Sequence, residues 1–163
     1  MTPINTADDR DPRVPLLSLV FGYGPMLPVV AAAIVAWTAS RAWPYVATSL
    51  AVWWAGALVI FLAGVRRGLA FRTAGGENIA QMATMLWLFV IGAAAFVVRT
   101  PQAALGLCLL GFVSIAVLDP IAARRGEAPA HFARLRPPQM AVGALALAAL
   151  IAWHMRAGGV IAA

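Results

Sequence analysis

Few side chains in this sequence can do chemistry, and they fall in small groups. Arg66 and Arg67 are adjacent, Arg134 and Arg136 are two apart, and Asp119 stands alone at the end of an apolar run, followed by Pro120. A carboxylate facing guanidinium groups forms charge-assisted, bidentate hydrogen bonds. Left without the carboxylate, the same guanidinium groups hold phosphate or carboxylate ligands. The remaining candidates are His131, His154 and the single Cys108. One cysteine excludes an intramolecular disulfide framework and any Cys-based zinc or iron–sulfur centre. Ser18, Ser49, Thr84 and Ser114 lie in apolar runs, where a hydroxyl commonly bonds back to the carbonyl one turn earlier. No Ser/His/Asp set can be assembled from them at matched depth.

The elements that must carry these residues are set by composition. Of 163 residues, 63% are hydrophobic and 11% charged, against about 45–50% and 25% in soluble domains. Mean hydropathy is +0.86. A soluble fold of this size cannot hide that much apolar surface, so disorder and a water-soluble globule are both excluded. The expected class is an all-α polytopic membrane protein. A hydrocarbon core of about 30 Å takes about 20 helical residues. Five runs meet or approach that length, at 16–37, 45–65, 79–98, 103–120 and 139–155. They are continuously apolar rather than alternating, which excludes a β-barrel. A polar N-terminal tail at 1–15 and a C-terminal tail at 156–163 flank this five-helix domain, and short links between runs predict an antiparallel bundle. No internal repeat is visible, and an odd span number argues against a simple inverted-repeat transporter.

All twelve basic residues are arginine. Arg10, Arg13, Arg66, Arg67, Arg72, Arg124, Arg125, Arg134 and Arg136 fall on one side of this topology, and Arg41, Arg99 and Arg156 on the other. Nine against three predicts a cytoplasmic N-terminus and an external C-terminus. The first 15 residues lack the cationic n-region of a signal peptide, and their acids argue against a mitochondrial transit peptide, so a bacterial inner membrane is the expected location. Net charge is +6, but no basic stripe alternates with exposed aromatics, and no nucleic-acid partner is expected. Trp37, Trp43 and Trp153 lie at the Arg-poor boundary, as an interfacial belt would. Trp53, Trp54 and Trp87 fall deeper and read as packing bulk.

Pro25 and Pro28 predict a kink in the first span, read as a packing bend in preference to the lining of a cavity. Gly56, Gly64 and Gly68 in the second span have the small-residue spacing that lets helices approach closely. The topology places Arg66, Arg67, Asp119, Arg134 and Arg136 at one depth on the cytoplasmic side. Their expected role is a structural clasp around Asp119, with a site for anionic lipid headgroups as the alternative. The two histidines fall on opposite sides and cannot share a metal or haem within one subunit.

At these residues the chain resembles the integral-membrane family called domain of unknown function 3429, which includes mitochondrial transmembrane protein 69. The stretches that carry the resemblance are YGPMLP at Tyr23–Pro28, VIFLAGVRRGLA at Val59–Ala70, Gly111-Phe112 leading to Asp119, and PAHFARLRPP at Pro129–Pro138. Ala63, Arg67 and His131 depart from that family's pattern, as does the third span, which lacks its proline and keeps Trp87. The resemblance implies the same membrane architecture and brings no activity, catalytic residue or cofactor with it. The function expected from the residues is therefore a non-enzymatic accessory or scaffold protein. Its partners would be the bilayer, anionic phospholipid headgroups and another membrane protein. The competing expectation is a carrier or pore for a small apolar or anionic solute entered from the Arg cluster. Neither a metal nor a cofactor is expected.

Overall fold

Residues 16–71 and 78–161 are described by a computed structural model, with side chains as far as residue 157. Arg10, Arg13, Arg72, Glu77 and the N-terminal aspartates lie outside the described residues. The order is α1 (Leu16–Tyr23), a 3₁₀ turn (Gly24–Met26), α2 (Leu27–Thr38), α3 (Trp43–Ala70), α4 (Ile79–Val97), α5 (Pro101–Arg124) and α6 (Phe132–Ile161). There is no strand among the described residues. Five stretches are long and apolar enough to cross a membrane: Leu16–Thr38, Trp43–Ala70, Ile79–Val97, Pro101–Arg124 and Phe132–Ala157. This is the make-up of a multi-pass membrane protein.

The helices run past several of the limits expected from the sequence, for local reasons. The fourth apolar run spans 103–120, short for a span, and α5 extends it on both sides, from Pro101 to Arg124. An internal proline forfeits one ladder bond, here to the Ala116 carbonyl, without obliging the helix to end. The end comes at Gly126, whose φ of +74° suits a residue without Cβ. Glu127 N–H donates to the Ala122 carbonyl at 2.9 Å and Gly126 N–H to that of Ala123 at 3.1 Å. These two bonds are a Schellman closure, which satisfies carbonyls that a helix end leaves orphaned. The start of α4 is equally specified by sequence. Asn78 Oδ1 accepts from Gln81 N–H at 2.8 Å, and Asn78 N–H donates to Gln81 Oε1 at 3.2 Å. That is a reciprocal capping box.

The first span breaks where its prolines fall. Pro28 has no N–H to offer the Gly24 carbonyl, and Leu27 N–H donates to it instead, tightening α-helix into 3₁₀. The altered turn exposes the Pro25 carbonyl to Trp54, whose indole N–H donates to it at 2.7 Å.

Packing follows the small residues. α3 lies against α2, α4 and α5, and α6 lies against α5 and α2. On α3 the buried positions Ala47, Ala51, Ala55, Val59 and Ala63 recur every fourth residue, a single ridge down one helix face. Large side chains fill the space opposite: Met26, Leu105, Phe112, Ile115, Leu147 and Leu150 are fully enclosed. Bulky apolar groups also face outward, among them Leu27, Leu50, Trp53, Phe61, Phe89 and Leu145. An apolar exterior this extensive suits lipid and is far from the surface of a soluble monomer.

Of the three glycines expected to pack helices, only Gly56 does so. A Cβ there would meet the Phe96 ring at 3.0 Å, whereas Gly64 and Gly68 have nothing within 4 Å. The reason is helical phase. Eight residues advance a helix by about 80° beyond two full turns, so Gly64 points away from the face that Gly56 presents. The partner of Gly56 is Gly92 on α4, where a Cβ would come within 3.0 Å of the Gly56 carbonyl oxygen.

Candidate functional site

The charged residues converge at one end of the molecule. Asp119, near the C-terminus of α5, is buried between Arg66 of α3 and Arg136 of α6. Arg66 Nε donates to Asp119 Oδ1 at 3.0 Å, and Arg66 Nη2 stands 2.8 Å from the same oxygen. Arg136 Nε lies 3.0 Å from Oδ2. The Nη2 and Arg136 Nε contacts lack hydrogen-bond alignment, so charge attraction carries them.

The pair of guanidinium groups extends the cluster in both directions. Arg66 Nη1 donates to Thr84 Oγ1 at 2.9 Å, and the Thr84 hydroxyl donates to the Gln81 carbonyl at 3.0 Å. On the other side Arg136 Nη1 donates to Gln139 Oε1 at 3.2 Å, and Gln139 Nε2 donates to the Gly22 carbonyl at 2.9 Å. Both ends of the Gln139 amide are thereby assigned, since only this orientation satisfies both neighbours. The chain of contacts runs from α1 through α6, α5 and α3 to α4. Every one of the five long apolar stretches contributes a member.

Arg67 and Arg134 take no part in the Asp119 pair. Adjacent helical residues point about 100° apart, so Arg67 turns to Met82 Sδ at 3.1 Å and stacks on the Phe71 ring at 4.2 Å. Arg134, two residues before Arg136, is exposed. The Arg136 guanidinium is also held from below by the Phe132 ring, 4.5 Å from its centroid, a cation–π contact.

Next to this cluster the broken first span opens a pocket of about 190 Å³. Its walls are Phe21, Leu58, Phe61 and Leu62, and Arg136 and Gln139 line its polar part. Of the two readings of the bend at Pro25 and Pro28, packing was preferred to the lining of a cavity, yet Pro25 lines this pocket.

The opposite end is held differently. Thr48 Oγ1 donates to the Pro44 carbonyl at 2.8 Å, which leaves its oxygen to accept from His154 Nε2, 3.0 Å away. His154 is buried, with the Trp153 and Tyr45 rings set edge-on to it. His131 lies near the Arg-rich end beside Phe132. Among the described residues, no three His, Cys, Asp or Glu groups are placed to hold a metal. Cys108 is enclosed on α5, its thiol 3.8 Å from the Val52 carbonyl. No protein-family model, curated protein or solved structure matches the chain.

Sequence reasoning missed the tryptophan contacts. Trp37 Nε1 donates to the Ala149 carbonyl at 3.0 Å and Trp87 Nε1 to Ser114 Oγ at 3.1 Å. With Trp54 on Pro25, three indoles bridge helices while part of each ring stays exposed. An N–H surrounded by hydrocarbon needs a protein acceptor, and that rule was the signal available in the sequence.

Proposed function

We propose that this protein is a non-enzymatic accessory or scaffold subunit of a membrane, built as an antiparallel five-helix bundle. Its N-terminus is cytoplasmic, its C-terminus external, and its location the bacterial inner membrane. The observation that carries this reading is the Arg66–Asp119–Arg136 network. The charged groups Arg66, Asp119 and Arg136 are partnered with one another across the bundle, which is what holding a shape requires.

The depth of the network fits. At 1.5 Å per residue, Arg66 lies about 35 Å along α3 from Trp43, close to the far edge of a 30 Å hydrocarbon layer. Asp119 lies about 27 Å along α5 from Pro101 by the same arithmetic. The clasp then closes the bundle at the cytoplasmic boundary. The stretches that carry the resemblance to domain of unknown function 3429 meet here too. YGPMLP forms the bend, VIFLAGVRRGLA carries Arg66, and PAHFARLRPP carries Arg136. Membership of that family is part of the proposal.

Two measurements test it. A reporter fused at Ala163 is expected to behave as external, and cytoplasmic behaviour overturns the orientation. Purification in mild detergent with native lipids is expected to yield a stoichiometric complex larger than one chain. The second reading is a carrier for a small apolar or anionic solute, and it draws on the pocket beneath the bend. A co-purifying metabolite with a monomeric protein would replace the scaffold by the carrier.

A further inference from the structure

We infer that the pocket beneath the first-span bend is a binding site for one anionic phospholipid. Its phosphate would lie at Arg136 and Gln139, and one acyl chain along Phe21, Leu58, Phe61 and Leu62. This rests on the membrane-spanning reading and is independent of the scaffold role.

Shape and lining select an apolar chain with a polar head. The cavity has room for several waters, but each would need two to four polar partners, and the walls are mainly aromatic and aliphatic. The mouth is on the outer surface, where Phe21 and Phe61 are 74% and 64% exposed. In a membrane that surface is covered by lipid. The polarity also runs the right way. Leu62 and Leu58 lie about 6 and 12 Å further along α3 from the Arg66 end, so the slot turns apolar with increasing depth, as a phospholipid does.

Charge selects an anion. Two arginines face one aspartate, leaving the buried triad with one uncompensated positive charge. Glu127 flanks the triad on the Arg66 side, where it accepts from Asn78 Nδ2 at 3.4 Å, and not on the pocket side. On Arg136, Nε is engaged by Asp119 and Nη1 by Gln139. The Arg136 side chain lines the pocket beside Gln139. A phosphate at that guanidinium would supply the missing negative charge. A choline headgroup would add a positive charge where one is already in excess.

The test is native mass spectrometry of the full chain, delipidated in detergent and titrated with dioleoyl phosphatidylglycerol, dioleoyl phosphatidylcholine or inorganic phosphate. One phosphatidylglycerol is expected to bind about tenfold more tightly than phosphatidylcholine. Leu58→Trp fills the slot without touching the triad and is expected to weaken binding about tenfold. Phe61→Ala, at an exposed position that folding tolerates, removes one wall and is expected to cost about threefold. Equal affinity for the two lipids overturns the inference, as does unchanged binding by Phe61→Ala. Competition by inorganic phosphate at concentrations comparable to the lipid would assign the site to a free anion and overturn the lipid. Failure of the membrane topology itself would show in the reporter fusions, so the two failures are separable.

Discussion

Asp119→Asn is expected to lower the melting temperature of the detergent-solubilised protein by about 5–10 °C, equivalent to about 2–4 kcal/mol. Asparagine keeps the shape and one acceptor oxygen but removes the charge that two buried guanidinium groups share. The cluster's net charge rises from one positive to two. Losing one partner of a buried ion pair typically costs about 3–5 kcal/mol. The position of the cluster near the hydrocarbon boundary admits water and reduces that figure. The diagnostic result is rescue. Adding Arg136→Gln restores the original net charge and is expected to recover more than Arg66→Gln, because Arg136 is the more deeply buried, at 9% against 12% side-chain exposure. A single mutant that melts like the parent protein, followed by tryptophan fluorescence, would show that the network holds nothing together.

Asp119 also marks how far the sequence could be read. Five apolar runs, an isolated acid at the end of one and paired arginines at the ends of others suffice to place a carboxylate near guanidinium groups. They do not say which arginines. That depends on helical phase, and phase is lost when the helix limits are wrong. The apolar run at 139–155 leaves Arg134 and Arg136 in its flank, where a short extension of the helix is allowed but their phase is not fixed. In the structure Arg136 is helical and buried, since pairing with Asp119 removes the cost that would otherwise exclude it from the helix. Thr84 makes the expected bond back to the preceding turn, but its contact with Arg66 and the role of Gln139 were not legible, for a related reason. Uncharged polar residues in an apolar run have local hydrogen-bonding options, and only the neighbouring helix shows which option is used. The bend at Pro25 and Pro28 was legible because proline's missing donor acts within its own turn. The pocket beside it is formed with α3 and α6, which no local rule describes.

The glycines divide along the same line, and they carry the second large effect. Gly143→Ala is expected to destabilise the protein by about 1–3 kcal/mol, the usual cost of overpacking a tight core. The added methyl would collide with Phe112 Cε2, and would stand 2.7 Å from Cδ2 of that ring and 2.9 Å from Met26 Sδ. Neither neighbour can retreat easily, because Phe112 is fully enclosed and Met26 is 1% exposed. Alanine's better helix propensity returns at most about 1 kcal/mol. Gly64→Ala is the matched control. Its methyl meets nothing within 4 Å, so the propensity gain is unopposed and stability is expected to hold or rise by about 0.5–1 kcal/mol. Both glycines lie inside long apolar helices and look alike in sequence. What separates them is the side chain that each faces on a neighbouring helix. Truncating that neighbour should therefore erase the difference: Gly143→Ala combined with Phe112→Leu is expected to be less destabilised than the sum of the two single changes. Equal melting temperatures for Gly143→Ala and Gly64→Ala would mean that α5 and α6 can separate freely, contrary to the close approach of Gly143 and Phe112.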